Sequence, residues 1–359
     1  MQIQAPLSPS SRPWILVTGK IRDPAFLHQR FEFLNRLKLQ GAVEQIVFST
    51  WAGELDSQPL ILEQMRRYGF FSVETTEPKV IVGGHYLHQI VQLANGLEAC
   101  AADHFILRTR TDKCGPTDGF VEEEIARLLV DHNHARPCGG SQPRFQHKVG
   151  LPGYHNYLSE IAPLLFWFND RLYFGLREDL QKLLNLNILG CSFWDFIPEQ
   201  TLFSHPFLER STILRQFFKA FPQGQIANKI YWGTEKNSPV YRSLISFVRE
   251  NALFKLALFL ERYILSTHFF DLSSGQDFSL INEFAGAPIL NCSGDELAHV
   301  GESLLQDGMK MDLGKEAEAA RSFLQTQFNI HYIPVQETFD GAMRRRFITT
   351  PDEQISLRP

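Results

Sequence analysis

Apolar and polar positions along this chain fall into short alternating blocks, and the first block is a strand. Residues 14–18 (Trp-Ile-Leu-Val-Thr) form an apolar run that stops at Gly19, the pattern of a parallel strand buried on both faces. Pro24 opens a stretch with Phe26, Phe31, Leu34 and Leu37 at helical spacing, which ends near Gly41. Residues 45–50 predict a second strand, 60–68 a second helix and 70–74 a weak third strand. Over 85–101, Leu87, Ile90, Val91, Ala94 and Leu97 share one helical stripe. Residues 104–108 predict a fourth strand that runs straight into Thr109-Arg-Thr-Asp112, and 119–130 predict another helix. Four strand–helix alternations predict a doubly wound, mostly parallel α/β sheet with its site at the carboxyl ends of the strands.

Beyond that helix the pattern loosens. Residues 132–157 are rich in Gly, Pro, His and Asn and show no periodicity, so they form a functional lid or an inserted loop. A strand is expected over 161–168, after which 169–175 leads into a helix at 178–186. Residues 241–265 read as one long amphipathic helical region, 296–328 as helical and 330–359 as loosely ordered. The implied organisation is a disordered start (1–13), an α/β domain (14–235) and a largely helical C-terminal lobe with its tail (236–359).

Composition narrows the class. A hydrophobic fraction of 44% with 21% charged residues is ordinary globular usage, which excludes wholesale disorder. The net charge of −5 lacks the basic footprint of a nucleic-acid binder. Five scattered cysteines, Cys100, Cys114, Cys138, Cys191 and Cys292, contain no CxxC pair, so neither a disulfide framework nor a zinc knuckle is expected. The polar start has no basic-then-apolar signal, and the greasiest stretch, 252–260, is interrupted by Lys255. A cytoplasmic protein is the expectation.

The usual catalytic markers are missing. No GxGxxG follows the first strand, Gly19-Lys20 lacks the rest of a Walker loop, and neither GxSxG nor HExxH occurs. What stands out is Arg108-Thr-Arg-Thr-Asp112. Alternation along a strand puts Arg108, Arg110 and Asp112 on one face, where two guanidiniums can fork onto phosphate oxygens and the carboxylate can hold a divalent ion. A plain surface Arg–Asp pair at a strand end is the competing reading.

Several segments occur together in a recognisable order: Ile15-Leu-Val-Thr-Gly19, Phe48-Ser-Thr-Trp51, Gln89, Gly96-Leu97, Leu107-Arg-Thr-Arg-Thr-Asp112, Phe174-Gly175 and Pro198-Glu-Gln200. Over residues 14–207 the chain resembles the WavE lipopolysaccharide-synthesis family, which looks like glycosyltransferases of the GT-A fold. The resemblance implies a nucleotide-sugar donor held by Thr18, Gly19, His88, Gln89, Arg108 and Arg110, with Mn²⁺ or Mg²⁺ at Asp112. It implies a cell-surface glycan acceptor of lipopolysaccharide or capsule type, free or lipid-linked. The chain departs from the pattern at two points. His88 stands where a basic residue precedes the helix glutamine, and Arg110-Thr-Asp112 offers one acid where the metal motif has two.

The remaining polar residues are weighed beside that resemblance. His85, His88, Gln89 and Gln92 form an uncharged stripe that either faces a ligand or is a solvated helix face. Gly19 permits close approach of a nucleotide or serves as a plain turn glycine. Glu199, in a loop rich in Trp and Phe, is the candidate general base, with Asp195 as its competitor and a dipole-stabilised helix start as its structural alternative. His132, His134, His147 and His155 with Cys138 match no standard zinc spacing. A sugar-phosphate nucleotidyltransferase and a non-catalytic assembly subunit on a transferase scaffold remain alternatives. Contact with the inner membrane surface is a further expectation, carried by the apolar face of 252–265 and by Arg344-Arg-Arg346.

Overall fold

The computed structural model describes residues 12–79, 86–111, 125–126, 129, 135–151, 164–168, 170–184, 198–208, 210–223, 226, 239–284, 287–307 and 312–328. Within them the chain is α/β, built on one eight-stranded sheet. Its strands are β1 (Trp14–Thr18), β2 (Ile46–Trp51), β3 (Phe71–Thr75), β4 (Phe105–Arg110), β5 (Val149–Leu151), β6 (Leu172–Leu176), β7 (Phe269–Asp271) and β8 (Gln276–Asp277). They lie in the order β3-β2-β1-β4-β6-β5-β7-β8. The half from β3 to β4 is parallel, and β6 then pairs antiparallel with β4. Every residue of β1 and β2 is buried, as unbroken apolar runs in a parallel sheet require.

Successive strand residues face opposite layers. Ile15, Val17 and Phe48 pack with Leu27, Phe31 and Leu34 of helix α1 (Pro24–Leu39) and with Ile61 of α2 (Pro59–Tyr68). Leu16 and Val47 pack on the opposite face, against Leu87, Ile90 and Leu97 of α3 (Tyr86–Ala99). The local signals hold at the helix ends. Asp23 accepts the Phe26 N–H at 2.9 Å in front of Pro24, and Gly69 closes α2 with φ 63°.

Downstream, four expectations change. Leu164–Phe168 is not extended: Phe166 has φ 56°, and its N–H is held by the buried Glu261 carboxylate. The strand begins instead at Leu172 and is followed by α4 (Arg177–Gln181), because an apolar run reports burial without reporting extension. The 241–265 region is two helices, α7 (Pro239–Glu250) and α8 (Ala252–His268), preceded by α5 (Pro198–Leu208) and α6 (Thr212–Ala220). The break falls at Asn251, whose side chain accepts the Phe254 N–H at 3.0 Å and caps α8. The 296–328 region is likewise two helices, α9 (Gly294–Asp307) and α10 (Gly314–Phe328). A short ribbon, β9 (Glu283–Phe284) with β10 (Ala287–Pro288), lies between α8 and α9.

The stretch expected to be a separate helical lobe returns to the main sheet. β7 pairs in parallel with β5 through Val149↔Phe269, Gly150↔Phe270 and Leu151↔Asp271, and β8 extends the edge. The helix expected to offer a membrane face is a core element: Leu253, Phe254, Ala257, Leu260, Tyr263 and Ile264 are all buried, against α6, α9 and α10 among others. No helix among the described residues is long and apolar enough to cross a membrane. Arg344–Arg346 lie outside the described residues, and of the 119–130 helix only residues 125, 126 and 129 are described, as helical.

Candidate functional site

The first two crossovers run from β1 outward to β3, and α3 then carries the chain back to β4 on the far side of β1. This reversal leaves a crevice at the carboxyl ends of β1 and β4, where open α/β sheets bind ligands. Thr18, Gly19, Arg108 and Arg110 all converge there, with Leu16 opposite Arg108 and Thr18 opposite Arg110 in register.

The loop after β1 is fixed from several sides. Gly19 has φ 135°, and a Cβ on it would stand 2.4 Å from Thr111 Oγ1, so only glycine fits. Thr111 donates its hydroxyl to the Lys20 carbonyl at 2.8 Å and its N–H to the Thr18 carbonyl at 3.0 Å. From β2, Thr50 donates to the Gly19 carbonyl at 3.0 Å, while Glu54 accepts the Ile21 N–H at 3.1 Å. Arg30 of α1 reaches under the end of β4 and donates to Thr109 Oγ1 and to the Arg110 carbonyl.

The two arginines differ. Arg108 is buried: its Nε donates to Thr18 Oγ1 at 3.1 Å, its Nη1 to the Asp170 carbonyl, and its guanidinium stands 5.0 Å from the Tyr173 ring centre. Burial pushes the Tyr173 phenol up to about 12, against the opposing pull of Arg108, so the ring stays neutral. Arg110 is more open and holds the Asp170 carboxylate through Nη1, at 3.2 Å from Oδ1 and 3.0 Å from Oδ2. The carboxylate placed beside the arginines here is thus Asp170, from the turn before β6. From the sequence alone this turn reads only as part of a lead-in to a helix. The available signal was an acid just before an apolar strand, but nothing local says that this strand pairs with β4.

On the other wall, Ser49 donates its hydroxyl to the Gln92 carbonyl at 2.8 Å and ties α3 to the sheet. One turn on, a Cβ at Gly96 would meet Leu16 Cδ1 at 2.5 Å, so the glycine lets the helix lie close. His88 and Gln89 are half-buried on the same helix, and the His88 ring meets Trp51 edge-on at 5.6 Å.

Three expected participants are not placed. Asp112 and Asp195 lie outside the described residues, as do His85, His132, His134 and His155; Glu199 is in α5, with its side chain outside them. Among the described residues no three His, Cys, Asp or Glu side chains gather as an ion site. Asp170 has both oxygens on Arg110, so a cation there would compete with a guanidinium. Asp179 accepts the His147 backbone N–H at 2.8 Å, the His147 ring meets Phe105 edge-on at 5.5 Å, and burial pushes the Cys138 thiol up to about 12. No protein-family model and no curated protein matches the chain.

Proposed function

We propose that this protein is a GT-A-like glycosyltransferase that moves a sugar from a nucleotide-sugar donor to a cell-surface glycan. The observation that carries the reading is the pair Arg108–Arg110 at the crevice where the strand order reverses, beside Gly19, where the close contact with Thr111 leaves room only for a glycine. Arg110 is the arginine open to a ligand. A donor diphosphate would replace the Asp170 carboxylate on its guanidinium, and that positive charge stabilises the leaving group as the glycosidic bond breaks. Arg108 orients the rim by fixing Thr18 and the Asp170 backbone. Glu199 or Asp195 would take the acceptor hydroxyl proton in an inverting reaction. A divalent ion at Asp112 would share the diphosphate charge. A lipid-linked acceptor would bring the protein to the inner leaflet through Arg344–Arg346, since the apolar helix α8 is buried.

The internal engagement of Arg108 favours a second reading, a non-catalytic assembly subunit on the same scaffold. A nucleotide-sugar hydrolysis screen, with and without Mn²⁺, separates the two. The transferase releases nucleoside diphosphate from one donor, and Arg110→Ala lowers that rate by on the order of 10²-fold. Turnover unchanged in Arg110→Ala removes this residue from the mechanism, and silence across the donor panel favours the scaffold.

A further inference from the structure

An exposed ion pair spans the carboxyl ends of three strands beside the crevice. Lys20, in the loop after β1, places its Nζ 3.7 Å from Oε2 of Glu77, in the segment after β3. Because β2 stands between β1 and β3, the pair bridges over the end of β2. The lysine backbone is anchored on the other side. Its carbonyl accepts the Thr111 hydroxyl at 2.8 Å, and Thr111 directly follows Arg110. The main chain of Lys20 is therefore fixed beside the open arginine, while its charge is held at the end of β3.

That hold is weak. The two side chains are 53% and 45% exposed, and 3.7 Å is too long for a hydrogen bond. Exposed pairs of this kind contribute little, and the flexible four-carbon stem of a lysine lets its ammonium turn. The loop itself need not move. Thr50 holds the Gly19 carbonyl and Glu54 holds the Ile21 N–H, one residue to either side of the lysine. The ligand supplies the reason to turn. A nucleotide-sugar diphosphate carries two negative charges, and Arg110 brings one positive charge to meet them.

We propose that Lys20 is the second cation of the diphosphate site. It leaves Glu77 and turns onto the diphosphate beside Arg110, so Glu77 competes with the ligand for the ammonium. The proposal rests on the nucleotide-sugar reading above, and it adds a binding residue and the carboxylate that opposes it.

Calorimetric titration of the full chain with UDP, GDP, CDP and ADP tests it. Lys20 and Glu77 are both exposed, so their variants leave the core untouched. Lys20→Met should weaken the nucleoside diphosphate that the wild type binds, on the order of tenfold. Glu77→Gln should tighten the same ligand by about two- to fivefold. That gain should vanish in the double variant Lys20→Met/Glu77→Gln. Arg22→Met, at an exposed position of the same loop, controls for the general field of a surface cation and should fall well short of the Lys20→Met loss. Unchanged affinity in Lys20→Met, or an equal loss in Arg22→Met, overturns the role of Lys20 and leaves the nucleotide reading standing. Equal or weaker binding in Glu77→Gln overturns the competition, as does a gain that persists without Lys20. Binding of no nucleotide by the wild type overturns both readings.

Discussion

Arg108 and Arg110 are two positions apart on one strand, and burial divides their work. The inner guanidinium is part of the scaffold, bonded to Thr18 and to the Asp170 backbone, while the outer, more open one pairs with the Asp170 carboxylate. Burial also sets the acid sensitivity of His268, the last residue of α8, just before β7. His268 is buried among Phe145 and Phe207, and its Nε2 accepts the Arg144 N–H at 3.1 Å, so the folded ring is neutral. Burial, with lesser help from Lys148 and Arg210 and against the pull of Glu302, lowers its pKa from 6.5 to about 4. The unfolded chain therefore binds the proton first as pH falls. Stability from this group is complete above about pH 6.5 and is lost between there and pH 4, by roughly 3 kcal/mol in all. Denaturant unfolding at pH 7, 6 and 5 should show this slope in the wild type and a shallower one in His268→Gln. Equal slopes would assign the acid sensitivity to other groups.

At the scale of elements, α3 is the piece on which the candidate site depends. It approaches the sheet at Gly96, where an added methyl would stand 2.5 Å from Leu16 and 3.1 Å from Ser49 Cβ. Leu16 is fully buried and has nowhere to retreat. Gly96→Ala should therefore destabilise by about 1–3 kcal/mol, in spite of the ~1 kcal/mol that alanine brings to a helix interior. Urea unfolding measures it, and a more stable variant would show that α3 can shift outward. This close packing also shows what the sequence made legible. Strands β1 to β4 and helices α1 to α3 were readable because each carries its own period, proline start or glycine stop. The alternation that put Arg108 and Arg110 on one face was readable for the same reason. Asp170 was not, since it reaches Arg110 only through the antiparallel pairing of β6 with β4, about sixty residues along. The break at Asn251 left a weak local signal, because apolar residues continue on both sides of a single capping side chain. The turn at Phe166 depends on the Glu261 carboxylate from another helix, which no window of sequence contains.

The whole molecule is organised by the far edge of its sheet. A boundary at 235/236 suits the change in composition, yet β7 lies beside β5, and Phe269 stacks or abuts the rings of Phe145, Phe168, Phe203 and Phe207. Helix α8 then covers α6 and leads directly into β7, so the two expected domains share one core cluster. Removing residues 236–359 would uncover those four phenylalanines and leave β5 without a neighbour on one side. Aromatic burial of that size exceeds what a folded chain can forgo, because net stability is only a small remainder of large opposing terms. The full chain should therefore unfold in a single calorimetric transition across the described body. A chain ending at residue 235 should show no cooperative transition and should expose apolar surface to a hydrophobic dye. Two resolved transitions in the full chain, or a sharp one in the shortened chain, would restore an independent domain ending at that residue. The expected result has a bearing on function. The crevice at β1 and β4 and the far strands would then belong to one cooperative unit built on a continuous sheet.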